Sequence, residues 1–301
     1  GVIDVKDANA TATVNAVLTN TINGGAVLTA GTINVTTDNR ANVGANTSAG
    51  GGGLVSIGDS DAVANATSTT TLLIAANAQL IARDNINVTN VARFDTGVSA
   101  ASSGGGLGAG VHSSANTTIT HTTKSSVAGV LTAGGNVVVE TKTVIDGEAS
   151  SNSRGGGLGV DSDATATVGV ASSSTTRSEI SGSARVTGEN IQIKAYLDPV
   201  RLYAVADSVA EAFGADSDAT ASVYLRGTAD VQLLTRTGTA AGEQLVGNQS
   251  VLLEASVRNA NLNSNSEAAA YVFAGDATAA SNAGFETLSK VIGQNESFIR
   301  T

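Results

Sequence analysis

The chain has 301 residues, a formal net charge of −10, 41% hydrophobic residues and only 14% charged ones. That is too apolar and too weakly charged for intrinsic disorder, and the acidic balance with no basic stripe argues against nucleic acid and anionic lipid as partners. No stretch approaches the ~20 unbroken apolar residues of a helical membrane span. There is no Cys, which excludes disulfides and suits an exported protein, and the opening GVIDVKDANA reads as the interior of something longer.

In chain order, two kinds of block alternate. KDANAT (6–11) is followed by LTAGTINVT (28–36), then GGGL (51–54) and DSDAVANAT (59–67). IARDNINVT (81–89), a second GGGL (104–107) and LTAGGNVVVE (131–140) come next. A third GGGL (155–158) leads into DSDATATVGVA (161–171), then VTGENIQIKA (186–195) and LYAVADSVAEAF (202–213). A second DSDAT (216–220), VGNQSVLLEA (246–255) and GDATAA (275–280) complete the series. The GGGL copies are 53 and 51 residues apart. Aligned on their apolar cores, Ile33, Ile86, Val137, Ile191 and Val251 are equivalent, in steps of 53, 51, 54 and 60.

Within each block, small or apolar residues alternate with polar ones, as in ENIQIKA, where Ile191 and Ile193 share a face. The segment Ala206–Phe213 also admits a short helix; Thr, Val, Asn and Gly disfavour helix elsewhere. A unit with period two that repeats in tandem buries its face only by stacking on its neighbours. The expectation is an all-β fold, a parallel β-helix (β-solenoid) of about five to six ~53-residue repeats, with Ile33, Ile86, Val137, Ile191 and Val251 as a core ladder. One wide coil per repeat is favoured over two of ~26 residues. The chain reads as a single segment over 1–301, with units of roughly 1–53, 54–106, 107–157, 158–212, 213–270 and a partial 271–301.

The phrases LTAGTINVT and LTAGGNVVVE, alternating with GGGLG and ATATV, resemble the repeat regions of filamentous-haemagglutinin-like large bacterial exoproteins. The resemblance spans nearly the whole chain and implies a secreted or surface-displayed right-handed β-helix acting as adhesin, stalk or fibre. The sequence departs from it in the last third. AYLDPVRLY carries the only proline, Pro199, and ETLSKVIGQNESFIRT (286–301) loses the pattern.

Candidate sites are few. GGGLGVDSD lacks the Lys of a phosphate loop and leads into a strand, so its glycines read as a corner where rungs approach closely. Stacking sets Asp161 and Asp163 beside Asp216 and Asp218. Such carboxylates either hold Ca²⁺, a hard cation that takes oxygen ligands, or cap strand starts as Asx turns. His112 and His121 lie in Ser/Thr-rich sequence and read as exposed; no catalytic residue is assigned. TSTTTLL (67–73), NTTITHTT (116–123) and SSSTTRS (172–178) predict a Ser/Thr ladder, and Asn34 with Asn87 an Asn ladder. The sequons at Asn34, Asn65, Asn87 and Asn116 follow from composition.

The function expected is a non-enzymatic structural or adhesive segment of an extracellular, cell-surface bacterial fibre. Its partners are further repeats of the same chain, identical neighbours end to end, and cell-surface glycans, with no nucleic acid and no direct membrane insertion. The alternative is a carbohydrate-binding or carbohydrate-active β-helix protein, for which Tyr196, Asp198, Arg201 and Tyr203 form the nearest cluster.

Overall fold

The computed structural model describes residues 2–234, 244–293 and 299–300. All of its regular structure there is strand: β1 (Ile3–Ile22), β2 (Val27–Ala30), β3 (Ile33–Gly52), β4 (Val55–Ile74), β5 (Gln79–Ala82), β6 (Ile86–Val127) and β7 (Val130–Ala133). The chain continues through β8 (Val137–Val170), β9 (Thr175–Ile180), β10 (Arg185–Leu233), β11 (Leu245–Val257), β12 (Ala260–Gly293) and β13 (Ile299–Arg300). Every strand pairing among these residues is parallel, the pattern of a β-solenoid.

The register runs from each residue to its equivalent one repeat on. Ile33 pairs with Ile86, Ile86 with Val137, Val137 with Ile191 and Ile191 with Val251. The first four of these are buried, and Val251 packs half-buried against the same cluster. The short strands stack in the same way: Leu28 on Leu80, Leu80 on Leu131, Leu131 on Val186. Each repeat is therefore one wide turn of the coil, not two narrow ones. Where the repeat lengthens, the register skips, as between Leu197 and Val200 around Pro199.

One turn, followed from Ile86, has three sides. The first runs from Ile86 to Ser103. Glycines reverse the chain, and the second side returns from Ala109 to Val127. A short third side, Val130–Ala133, leads to the next turn. The two long sides face one another closely: the Ser113 and Ser151 hydroxyls are 2.7 Å apart, and Ser153 donates to the Val111 carbonyl at 2.9 Å. The narrow gap explains why alanine dominates there. Ala92, Ala100, Ala115, Ala149, Ala164, Ala166, Ala204 and Ala221 are all buried, and Phe94 is the one aromatic in this cluster. Larger aliphatics gather where the third side widens the section: Leu72, Ile74, Leu80, Ile86, Leu131, Ile180, Ile193 and Leu233.

The glycine corner requires glycine for space. A Cβ on Gly106 would lie 2.2 Å from the Gly53 carbonyl oxygen, and one on Gly157 would lie 2.0 Å from that of Gly106. Successive corners thus pack backbone on backbone, closer than any side chain allows.

Ala206–Phe213 is part of β10, as its alternation predicts, and Ala206 and Ala210 enter the core; the helix alternative is set aside. One expectation changes. The closing stretch keeps the pattern through Gly293, which pairs with Leu233, since parallel pairing to a well-formed rung tolerates a weak apolar period; residues 294–298 and 301 lie outside the described residues. The polar Ser/Thr runs alternate between the two faces of the wall. Thr69, Thr122 and Thr175 point outward, while Thr70, Thr123 and Thr176 are buried inside.

Two substitutions check the stacking. Ile86→Ala removes a core member contacted from above and below, and is expected to lower the unfolding free energy by about 2–5 kcal/mol in urea melts. Asn87→Ala, one residue on and pointing outward, is expected to cost no more than about 1.5 kcal/mol.

Candidate functional site

Beyond the glycine corner, the outward positions of the second side carry the acidic residues. Asp161 stacks on Asp216, which stacks on Asp276; Asp163 stacks on Asp218. In the preceding turns His112 and Asp59 continue the second column. Asp161, Asp216 and Asp218 are exposed and Asp163 is half-buried. The His112 Nδ1 atom lies 3.6 Å from the Asp163 carboxylate. Burial, then the charge of Asp161, push the Asp163 carboxyl above the usual carboxylate range; His112 works against them and Asp218 with them. Asp216 accepts a hydrogen bond from the Ser217 backbone N–H at 3.0 Å, and Asp276 from that of Ala277 at 2.8 Å. Among the described residues, no three His, Asp or Glu side chains form a group that could hold a metal ion.

The interior holds a second polar feature. Between the alanine-rich cluster and the wide end, hydroxyls bond across the coil. Thr143 meets Thr123 at 2.9 Å and Thr176 at 2.7 Å; Thr141 meets Ser125 and Ser178, each at 2.7 Å. A serine seam lies nearer the corner, where Ser162 donates to Ser153 at 3.0 Å and Ser217 to Ser208 at 2.9 Å. A hydroxyl both donates and accepts, so it satisfies partners across the coil and along its axis at once. The predicted ladder is thus a buried cross-link between opposite walls.

His121 belongs to the first seam, and its expected exposure is corrected. It is 1% exposed, its Nε2 lies 3.1 Å from the Thr176 hydroxyl, and its ring is 5.9 Å from that of Phe94. Its stacked neighbours are Ser68 below and Ser174, whose hydroxyl accepts its backbone N–H at 3.2 Å. Strand alternation turns it inward with Ile119 and Thr123, whatever the polarity of its sequence neighbours. Burial lowers its pKa to about 3, and its Nδ1 has no hydrogen-bond partner.

Outward columns hold asparagines and charges. Asn87 donates to Asn34 at 2.9 Å, as the Asn ladder requires; Asn190 donates to Asn136 at 2.9 Å, and Ser250 to Asn190 at 2.7 Å. Arg177 stacks on Asp230 and binds it through two hydrogen bonds of 2.7 and 3.0 Å, with Asp230 fully buried. This pair was not predicted; its signal is the shared repeat position of two residues 53 apart.

The Tyr196 cluster is closed on itself. Tyr196 is 7% exposed beneath Arg258 and Lys142, whose charges lie 4.7 and 5.5 Å from its ring centre. Burial, then a hydrogen bond with Glu140, push its hydroxyl pKa up. Asp198 accepts from Asn259 at 2.7 Å and lies 3.7 Å from Lys142. Arg201 pairs with Asp146 at 3.8 Å, and only Tyr203 presents an exposed ring.

No protein-family model, curated protein or solved structure matches this chain.

Two pH-dependent outcomes follow from these groups. His121 titrates near 6.5 when unfolded and near 3 when folded, so its contribution is complete above pH 6.5 and is lost as pH falls toward 3. Between pH 6 and 4 the parent chain is expected to lose about 1.4 kcal/mol per pH unit more than His121→Ser, measured by urea melts at each pH. Asp163 is shifted the other way, so its ionised form opposes folding above the carboxylate range and the opposition vanishes in acid. Asp163→Asn is expected to stabilise the chain at pH 7.5 by up to about 0.5 kcal/mol and to have no effect at pH 3.

Proposed function

We propose that this chain is a structural, adhesive segment of a secreted or cell-surface fibre, in which it forms part of a rigid rod. The observation that carries the reading is the register itself, which joins every turn to the next along the whole described chain. Continuous hydrogen bonding along one axis, with core ladders running the same way, resists bending and pulling along that axis. Among the described residues, β1, β2 and β3 each pair on one side only, as does β12. Ile3, Val5 and Val17 of β1 are exposed, as are Phe285, Leu288 and Val291 of β12. Further rungs, of the same chain or of an identical neighbour end to end, would cover these edges and satisfy their backbone groups. The resemblance to filamentous-haemagglutinin-like exoproteins supports the same role and a location outside the cell. The outward Thr, Asn and Asp columns then form the faces offered to surface glycans.

Electron microscopy of the purified chain tests the rod. Straight, unbranched particles are expected, with an axial repeat of about 4.8 Å in diffraction from oriented material. Round particles without that repeat would overturn the reading.

A further inference from the structure

The glycine corner carries one side chain per turn that the core does not use. At its tip stand Val2, Leu54, Leu107, Leu158, Phe213 and Phe273, exposed by 66, 49, 55, 58, 62 and 82%. They form a single file. The Val55 N–H donates to the Val2 carbonyl at 2.9 Å, and the Leu107 N–H to the Leu54 carbonyl at 2.8 Å. The residues that follow the last four, Gly108, Gly159, Gly214 and Ala274, are register partners in succession. The Phe213 and Phe273 rings stack with centres 4.9 Å apart and planes 10° from parallel.

Single exposed hydrophobic residues are ordinary on protein surfaces; an unbroken file of them is not. At roughly 100 Å² each, the six present about 600 Å² of apolar surface, the upper end for the largest patch on a monomer. Glycines flank the file at Gly104–Gly106, Gly155–Gly157, Gly108 and Gly159, so another backbone can approach it closely.

We propose that this ridge is the seam on which a second copy of the chain docks, side by side and parallel, about a two-fold axis along the rod. Pitch selects the occupant. The ridge has one tooth per rung, about 4.8 Å apart, and a second copy presents teeth at the same pitch. A helix advances ~5.4 Å per turn and drifts out of phase. Charge selects the direction. The shoulder after the ridge carries Asp161, Asp163, Asp216 and Asp218; the shoulder before it carries Arg154, paired with Asp207 at 3.9 Å, and Glu211. An antiparallel pair sets acidic shoulder beside acidic shoulder. A parallel pair sets each beside the other shoulder, which Asp207, Glu211 and Glu267 also make acidic but where Arg154 offsets one charge, so the parallel pair repels less. The inference rests on the fold and is independent of the adhesive role and of end-to-end stacking.

Sedimentation of the full chain, with cysteine cross-linking, is the test. The seam is smaller than the ~800 Å² per partner of a standard interface, so a dimer with Kd of roughly micromolar order is expected. Leu107→Asp with Leu158→Asp is expected to raise that Kd by at least about a hundred-fold, with the β-sheet circular dichroism unchanged. The chain has no Cys, so Leu54→Cys alone is expected to give a covalent dimer on mild oxidation, and Leu54→Cys mixed with Phe213→Cys no preferred heterodimer. A chain still monomeric at about 1 mM overturns the proposal. So does a Leu54→Cys cross-link whose yield the double substitution leaves unchanged, since end-to-end stacking does not bring Leu54 beside its own copy. Cross-linking only between Leu54→Cys and Phe213→Cys overturns the parallel arrangement. A monomer that floats with phosphatidylcholine vesicles, and ceases to when both leucines are replaced, assigns the ridge to lipid instead and overturns the proposal.

Discussion

In-register parallel stacking constrains everything else in this molecule. Each residue has its own equivalent above and below it, about 4.8 Å away along the axis. A side chain at a given position is therefore selected for its compatibility with itself. Aliphatic residues meet that condition by burying one another, as Ile33, Ile86, Val137 and Ile191 do. Asparagine meets it because an amide donates and accepts at once, so Asn34 and Asn87 bond directly. Threonine and serine meet it with a rotatable hydroxyl. Charged residues meet it where opposite signs stack, as Arg177 does on Asp230, and repel where like signs stack, as Lys124 does on Arg177 and Asp161 on Asp216. Lys124 there turns aside to Glu179 at 2.9 Å. A chain under this rule ends with few charges and many Asn, Thr and Ser, and 14% charged residues is the result.

The second constraint is thickness. Two long sides close enough for serine hydroxyls to meet leave room for Ala, Ser, Thr and Val, and for little else. The interior is accordingly divided: an alanine-rich middle, a wider aliphatic end under the short third side, and a small cluster of Ala109, Val160, Ala210 and Ala215 by the corner. Hydroxyl seams separate them. These seams contribute less by hydrogen-bond strength, which is modest net of water, than by position, since a misplaced buried hydroxyl costs its full desolvation. They hold the two walls in one alignment. His121 is one point where this device is incomplete, with one ring nitrogen bonded and the other not, and the buried Ser56 hydroxyl is another.

The glycine corner joins the two constraints to the outside. Its backbone packs so closely on the next corner that no Cβ fits at Gly106 or Gly157. A chain folded back that tightly has no interior left to offer the next residue. Leu54, Leu107 and Leu158 are therefore pushed outward, and the same geometry that closes the rod's narrow edge decorates it with apolar side chains.

Much of this was legible in the amino-acid order. The 51- to 60-residue spacing of like blocks, the alternation within ENIQIKA and ATATV, the aliphatic column and the Asn34–Asn87 contact all follow because register in a solenoid is a direct reading of repeat position. Three things needed the folded chain. In TSTTTLL or NTTITHTT both faces are polar, so period two has no visible phase, and only the flanking Leu72 and Ile119, locked inside by packing, decide that Thr70, His121 and Thr123 turn inward. The Arg177–Asp230 pair joins residues that are distant in sequence and become neighbours only when turn lies on turn. The leucine of GGGL looks like a core residue by hydropathy; the reversal of the chain at the glycines places it at the tip, where the wall bends away and there is no core to enter.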